Sequence, residues 1–268
     1  MIDCSKFTIR YNHCMREITA KDEQEIRENF PIDSCLRPPD LSVSTEAARA
    51  FDQLFDAARA KGPAADIAYN LQYPKYLFLE YLASTRGLML HGSNTRGLDV
   101  LRPIRASSDS SEFGNQPAIY ASQDPLWAMY FAVLDRTGWS GTSNASIILE
   151  DDAGSRIRRY YFTLEHNHLR RSPWRTGAMY ILPGEGFEPD PTMVGAKAGT
   201  YKVVPTHWIY RGELTPLAWL DLEPEDFPFR DCVWGYDSQA FSQRMDAESL
   251  AGYPFLEDPE IYPIIPKR

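Results

Sequence analysis

The stretch DPLWAMYFAVLDR, residues 124–136, constrains the fold of this chain more than any other segment. Asp124 is a favourable N-cap residue, and Pro125 suits the first helical turn because its missing N–H would have no partner there. The residues that follow are apolar around nearly the whole helix, so every face must be covered. We therefore expect a buried helix over 124–136 with other layers of structure packed around it.

Two helices are predicted before this segment and a run of strands after it. The first helix spans 44–62, with Ser44 as N-cap and Gly62 as the stop, and the second spans 74–87. Short strands are predicted at 88–91, 118–122, 145–151, 158–166, 176–183, 202–210 and 215–222. Helices followed by consecutive strands are typical of an α+β fold rather than of alternating βαβ units.

This element order predicts one α+β domain with a split, mostly antiparallel sheet and the buried helix beneath it. Residues 1–72 are assigned to an N-terminal helical segment that packs on a domain of residues 73–268. A long polar loop over 94–117 joins the first two strands, and loops of this length in compact domains are commonly functional.

Charge and cysteine usage exclude several classes of protein. The formal net charge of −9 argues against non-specific coating of nucleic acid, which requires a basic surface. No apolar signal region and no membrane-spanning run is present, and no cysteine pair has metal-binding spacing among Cys4, Cys14, Cys35 and Cys232. His166 and His168 would share one strand face, but no third ligand accompanies them. We expect a reduced, cytoplasmic protein without a metal site.

Two short motifs carry the chemistry. His91, Gly92 and Ser93 follow the first strand, and a glycine there lets a ligand approach the backbone N–H and C=O, which a side chain would block. Further on, AIYAS (118–122) places Tyr120 in a short strand, where its ring offers a flat face for stacking.

With LHGS and AIYAS in this order on successive strands, the chain resembles the ADP-ribosyltransferase superfamily, on the branch of the poly-ADP-ribose polymerases and diphtheria-type toxins. The resemblance covers roughly residues 75–228. It implies an ADP-ribosyltransferase-like split sheet and NAD as the substrate.

The resemblance also implies a role for each residue of the two motifs. His91 would bond a ribose hydroxyl of NAD, and the backbone of Gly92 would hold the nicotinamide amide. Tyr120 would stack on the nicotinamide ring, and Phe131, eleven residues later with Trp127 one turn before it, would supply the second ring. The remaining NAD-binding candidates are Ser93, Ser122 and two loop arginines that can face the pyrophosphate, Arg102 and Arg105.

The family pattern has a third motif, a glutamate on a late strand, and this chain departs from it. The family places a glutamate on a late strand, where it stabilises the oxocarbenium-like transition state, whereas His207 occupies the position that looks equivalent. Three alternatives remain: His207 acts as a hydrogen-bonding or acid–base group, Glu213 reaches the site, or no activating group is present. Glu185 and Glu188 are further candidates.

Residues 156–175 form the one basic island in an acidic chain. Forked arginine contacts can hold phosphates, and interleaved aromatic rings can stack on unpaired bases. The arginines assigned to this role are Arg158, Arg159, Arg170 and Arg171, and the rings are Tyr160, Tyr161, Phe162 and Trp174. We therefore expect single-stranded RNA or DNA, slightly ahead of protein, as the acceptor.

The expected function is NAD-dependent transfer of ADP-ribose to a macromolecule, with His207 or Glu213 as the catalytic group. The resemblance adds a toxin or phage-defence role and a neutralising partner protein. Two alternatives stay open: a non-catalytic binder of NAD or nucleic acid on the same fold, and an RNA 2′-phosphotransferase. The latter family carries an arginine beside the histidine, where this chain has Leu90.

Overall fold

The computed structural model describes residues 35–103, 112–137, 142, 144–198 and 200–236. It contains four α-helices in this part of the chain: α1 (Thr45–Arg59), α2 (Lys75–Arg86), α3 (Pro125–Val133) and the single-turn α4 (His166–Leu169). Short 3₁₀ turns lie at Pro224–Asp226 and Arg230–Cys232. No helix among the described residues is long and apolar enough to cross a membrane.

The described residues also contain twelve strands, several of them only two or three residues long. They are β1 (Ala65–Asp66), β2 (Met89–Ser93), β3 (Ile119–Ala121), β4 (Asn144–Glu150), β5 (Arg156–Glu165), β6 (Gly177–Leu182), β7 (Glu188–Pro189), β8 (Lys197–Ala198), β9 (Tyr201–Val203), β10 (Trp208–Tyr210), β11 (Ala218–Leu222) and β12 (Trp234–Tyr236).

These strands form three sheets with the orders β1-β11-β6-β2, β3-β10-β7 and β12-β5-β4-β9-β8. Only β1 with β11 and β12 with β5 pair in parallel, and all other described pairs are antiparallel. A bridge between Leu90 and Ser122 links β2 to β3 and so joins the first two sheets. The chain therefore has the α+β fold that the element order predicts.

Helix α3 lies directly on the first sheet, because two glycines remove the side chains that would separate them. A Cβ built on Gly92 would stand 2.1 Å from the carbonyl oxygen of Ala128, and one on Gly177 would stand 1.9 Å from that of Ala132. Seven of the nine residues of α3 are buried. The prediction of a buried helix is confirmed, with Asp124 accepting a hydrogen bond from the Leu126 N–H at 3.0 Å as its N-cap.

The N-terminal helices share the hydrophobic core of the sheets. Ser44 caps α1 by accepting from the Ala47 N–H at 3.1 Å, and Gly87 ends α2 in the left-handed conformation, as predicted. Phe51 of α1 meets Phe78 of α2 edge-on, with ring centroids 5.5 Å apart. Since β1 also pairs with β11, residues 35–72 belong to the same packed unit as the other described residues, and residues 1–34 of the predicted N-terminal segment lie outside the described ranges.

Several predicted boundaries were wrong for identifiable reasons. The strand expected to stop at His91 continues to Ser93, because Gly92 and Ser93 pair with Met179 and Ala178 of β6. The strand expected over 202–210 is split into β9 and β10 around Pro205, which has no N–H for a ladder. The expected helix over 124–136 ends at Val133, because Leu134 leaves it to form a bridge with Trp174.

Replacing Gly92 with alanine is expected to lower the free energy of unfolding by about 2–3 kcal/mol, because the methyl group would overlap the backbone of α3. Urea denaturation measures this change. Gly154→Ala is the matched control: it is strained by a φ of +82° but meets no atom within 4 Å, so it should cost about 1 kcal/mol. Equal stability of the two variants would contradict the close helix–sheet contact.

Candidate functional site

The imidazole of His91 is fixed by the neighbouring strand. Its Nδ1 lies 2.7 Å from the carbonyl oxygen of Tyr120, and because a carbonyl only accepts, Nδ1 must carry the proton. Burial lowers the pKa of His91; the bond to Tyr120 opposes that shift and the charge of Arg136 adds to it. The neutral ring therefore keeps Nε2 as a hydrogen-bond acceptor, the role needed to receive a ribose hydroxyl.

The lowered pKa of His91 gives a pH test of its expected role in binding NAD. Affinity should be constant from pH 8 to about 6.5 and weaken at lower pH, as protonation of Nε2 removes the acceptor. Calorimetric titration across that range measures the effect. His91→Gln, which cannot titrate there, should bind more weakly but without the acid-side loss; a wild-type affinity that rises towards pH 5 would contradict the assignment.

Tyr120 lies on β3 with its hydroxyl anchored in the preceding loop. The hydroxyl accepts from the Gln116 N–H at 3.0 Å and lies within donating distance of the Gly114 and Gln116 carbonyl oxygens, at 2.8 and 2.7 Å. The phenol end is thus held in place, and the ring stands half-buried at a fixed position beside the His91 contact.

His207 stands directly against the Tyr120 ring. The two rings are stacked, with centroids 5.3 Å apart and 28° between their planes. The edge of Trp127, from α3, approaches the same imidazole at 5.5 Å. His207 therefore lies between Tyr120 and Trp127, whereas the expected pair of stacking rings was Tyr120 and Phe131. A ligand ring must displace His207 or use the other face of Tyr120.

The backbone of Gly92 faces the same region. Leu90 exchanges both of its backbone hydrogen bonds with Ser122, at 2.8 and 2.9 Å. Because alternate residues of an antiparallel strand direct their backbone groups to the same side, the N–H and C=O of Gly92 also point towards β3. The missing side chain of Gly92 serves the contact with α3, and its backbone is the part placed to meet a ligand.

Two residues of this cluster were missed by sequence reasoning. Phe113 meets the His207 ring edge-on at 5.3 Å, and its apolar ring in an otherwise polar loop was an available signal. Asn144 accepts from the Trp127 indole N–H at 2.7 Å and fixes that ring, but no sequence pattern pointed to it. Phe131, predicted as the second stacking ring, contacts Trp127 edge-on at 5.7 Å.

Other predicted site residues are engaged elsewhere. Glu213 and Arg102 are both exposed and pair with each other at 2.9 Å, beyond the end of β10 opposite to His207. Ser122 is buried and its Oγ accepts from the Asp124 N–H at 3.0 Å, so it supports the start of α3. Ser93 Oγ accepts from the Thr95 N–H at 3.1 Å.

The two remaining glutamate candidates are exposed, and one loop arginine cannot be placed. Glu188 lies on β7 with its carboxylate 3.3 Å from Arg211, and Glu185 lies in the turn before that strand. Arg105, expected to face the pyrophosphate, lies outside the described residues.

The strand rings of the arginine island are not available for the predicted stacking on bases. Arg158 makes a bidentate pair with Glu80 of α2, with both distances 2.7 Å and side-chain exposures of 12% and 9%. The strand rings Tyr160, Tyr161 and Phe162 are fully buried, so they cannot stack on bases. Trp174 packs on the same core, 6.3 Å from Tyr130. Of the four assigned arginines, Arg170 and Arg171 are exposed.

The interpretation of residues 166–168 as part of a strand was also wrong, because they form α4. His168 Nε2 lies 2.8 Å from the Asp135 carbonyl oxygen, which holds the ring against the end of α3. Within the described ranges, no three His, Cys, Asp or Glu side chains are grouped to hold a metal ion.

Comparison of the chain with family models, with curated proteins and with solved structures gave no match.

Proposed function

We propose that this chain is a cytoplasmic, NAD-dependent ADP-ribosyltransferase that releases nicotinamide and transfers ADP-ribose to a macromolecule. The observation that carries the proposal is the convergence of His91, Tyr120 and His207. An acceptor nitrogen on a fixed imidazole, an anchored aromatic face and a second imidazole come together where two strands meet α3.

Each group has a definite role in the proposed reaction. His91 Nε2 accepts a hydroxyl of the nicotinamide ribose, and the Gly92 backbone receives the nicotinamide amide. The nicotinamide ring stacks on Tyr120 after His207 has moved aside. The C1′–N bond breaks, nicotinamide leaves as the neutral base, and the acceptor nucleophile bonds to C1′ while losing its proton.

His207 is assigned to the transition state of this reaction, because it adjoins Tyr120 and Glu213 does not. Its imidazole would hydrogen-bond the ribose or take the proton of the acceptor as C1′ is attacked. Glu213 forms an exposed ion pair with Arg102 and is assigned no role in the reaction.

The acceptor class is tested with labelled NAD and separate pools of RNA, DNA and protein. Stacking on unpaired bases was one reason to prefer nucleic acid over protein as the acceptor, and burial of the strand rings removes that reason. Label on any one pool, together with nicotinamide release, supports the transferase. Tight NAD binding without release supports the non-catalytic binder, and a cyclic phosphate of ADP-ribose as product supports RNA 2′-phosphotransfer.

A further inference from the structure

A solvent-open pocket lies away from this site, between residues 37–41 and the first half of β5. It offers about 460 Å³ and is called the arginine cavity here for the guanidinium groups that line it. Its charged lining residues are Arg37, Asp40, Arg156, Arg158 and Arg159. Cavities of about 300–1,000 Å³ are typical of small-molecule sites.

Two of the four arginines are committed to carboxylates outside the cavity. Arg158 pairs with Glu80 at 2.7 Å and Arg156 with Glu150 at 2.7 Å. Arg37 and Arg159 make no ion pair with any described residue, and Asp40 is the single acid of the lining. The cavity thus presents a surplus of positive charge in a chain whose net charge is −9.

Arg159 is the most informative member of the lining. Its Nη1 donates to the Arg158 carbonyl oxygen at 2.9 Å, but its Nε is the one buried side-chain nitrogen or oxygen in the described residues without a hydrogen-bond partner. A charged donor without an acceptor is destabilising. This nitrogen is shielded from solvent, so an anion in the cavity would meet other atoms of Arg159, which lines it. The neighbouring Cys35 thiol cannot serve, because burial raises its pKa to about 12 and keeps it neutral despite the charge of Arg159.

The remaining walls are apolar and indicate what the anion is attached to. Pro38, Pro39, Leu41 and Ile157 complete the lining. The guanidinium group of arginine matches the geometry of a phosphate. Apolar side chains commonly line the part of a small-molecule site that contacts a ring. We propose that the arginine cavity binds a nucleoside phosphate, with the phosphate between Arg159 and Arg37 and the base against the apolar wall.

This site is separate from the proposed NAD site. Thr206, next to His207, donates to the Ser146 carbonyl oxygen of β4 at 3.3 Å, whereas Leu36 pairs with Tyr160 at the other edge of β5. Strands β4 and β5 therefore lie between His207 and the cavity. The inference does not depend on the transferase, and its test can succeed or fail independently of it.

The test is calorimetric titration of the full chain in a His91→Ala, Tyr120→Ala background, which removes binding of nucleotides at the NAD site. AMP should bind, and adenosine and inorganic phosphate should each bind at least ten-fold more weakly. Arg159→Met should reduce AMP affinity ten-fold or more. Arg37→Ala, an exposed position that does not endanger folding, should reduce it about three- to ten-fold.

Arg171→Ala is the matched control, since it removes one exposed positive charge outside the cavity lining and should leave AMP affinity unchanged. Unchanged affinity in both Arg159→Met and Arg37→Ala would overturn the site. Equal affinity for AMP and inorganic phosphate would overturn the nucleotide assignment, and no AMP binding at millimolar concentration would overturn both.

Discussion

His207→Ala is expected to lower the turnover number for nicotinamide release about 100-fold without weakening NAD binding. The imidazole is the group that we propose assists the transition state, so its loss should appear in kcat. It also covers one face of Tyr120, with centroids 5.3 Å apart, so removing it opens that face to the nicotinamide ring. Initial rates of nicotinamide release over a range of NAD concentrations separate kcat from KM.

Glu213→Gln is the control for this experiment. Glu213 is exposed and paired with Arg102, so the substitution should leave both kcat and KM within about two-fold of the wild-type values. A large loss of turnover in Glu213→Gln with normal turnover in His207→Ala would reverse the assignment of the two residues. Normal turnover in both would mean that neither group assists the reaction.

Arg158→Met is expected to lower the free energy of unfolding by about 3–5 kcal/mol, because it leaves the Glu80 carboxylate buried without its cation. Asp124 adds to this penalty. Burial raises the pKa of its carboxyl and the charge of Arg158 opposes that shift, so losing Arg158 further disfavours the charged form of Asp124. Urea denaturation at neutral pH measures the loss.

Two comparisons make this prediction specific. Arg156, on the same strand as Arg158, makes an exposed pair with Glu150 of β4, and Arg156→Met should cost no more than about 1 kcal/mol. The double variant Glu80→Leu, Arg158→Met should recover most of the lost stability, because an apolar pair needs no counter-ion. A double variant no more stable than Arg158→Met alone would mean that packing, rather than charge, accounts for the effect.

The sequence predicts those parts of the fold that short-range physics determines. The N-cap of α1 at Ser44, the left-handed stop of α2 at Gly87 and the cap of α3 at Asp124 depend on residues within one turn of each other. Burial of α3 follows from its composition alone, since no face of it is polar. The α+β class then follows from the order of the elements.

The sequence could not predict features that depend on partners far along the chain. Gly92 pairs with β6 and packs under Ala128, so its strand continues where the local pattern indicates a turn. The arginines of β5 led to a wrong prediction of exposed stacking rings for the same reason. The strand is continuously buried from Tyr160 to Leu164, and the acid that neutralises Arg158 stands 78 positions away on α2.

The candidate site also combines residues that local motifs predict with contacts that depend on distant parts of the chain. His91 and Tyr120 were identified from their motifs, and the structure brings the imidazole of one onto the carbonyl of the other. The position of His207 between Tyr120 and Trp127 is set by the pairing of β10 with β3, which no local pattern contains. Only the structure shows that the His207 ring covers one face of Tyr120.

The most direct test of the NAD site is calorimetric titration of NAD into the purified wild-type chain and into His91→Ala and Tyr120→Ala. The first substitution removes the hydroxyl acceptor and the second removes the stacking face. We predict measurable NAD binding by the wild-type chain and at least ten-fold weaker binding by each variant, with both variants still folded by circular dichroism. Unchanged NAD affinity in both variants, or no binding by the wild-type chain, would contradict the proposed site.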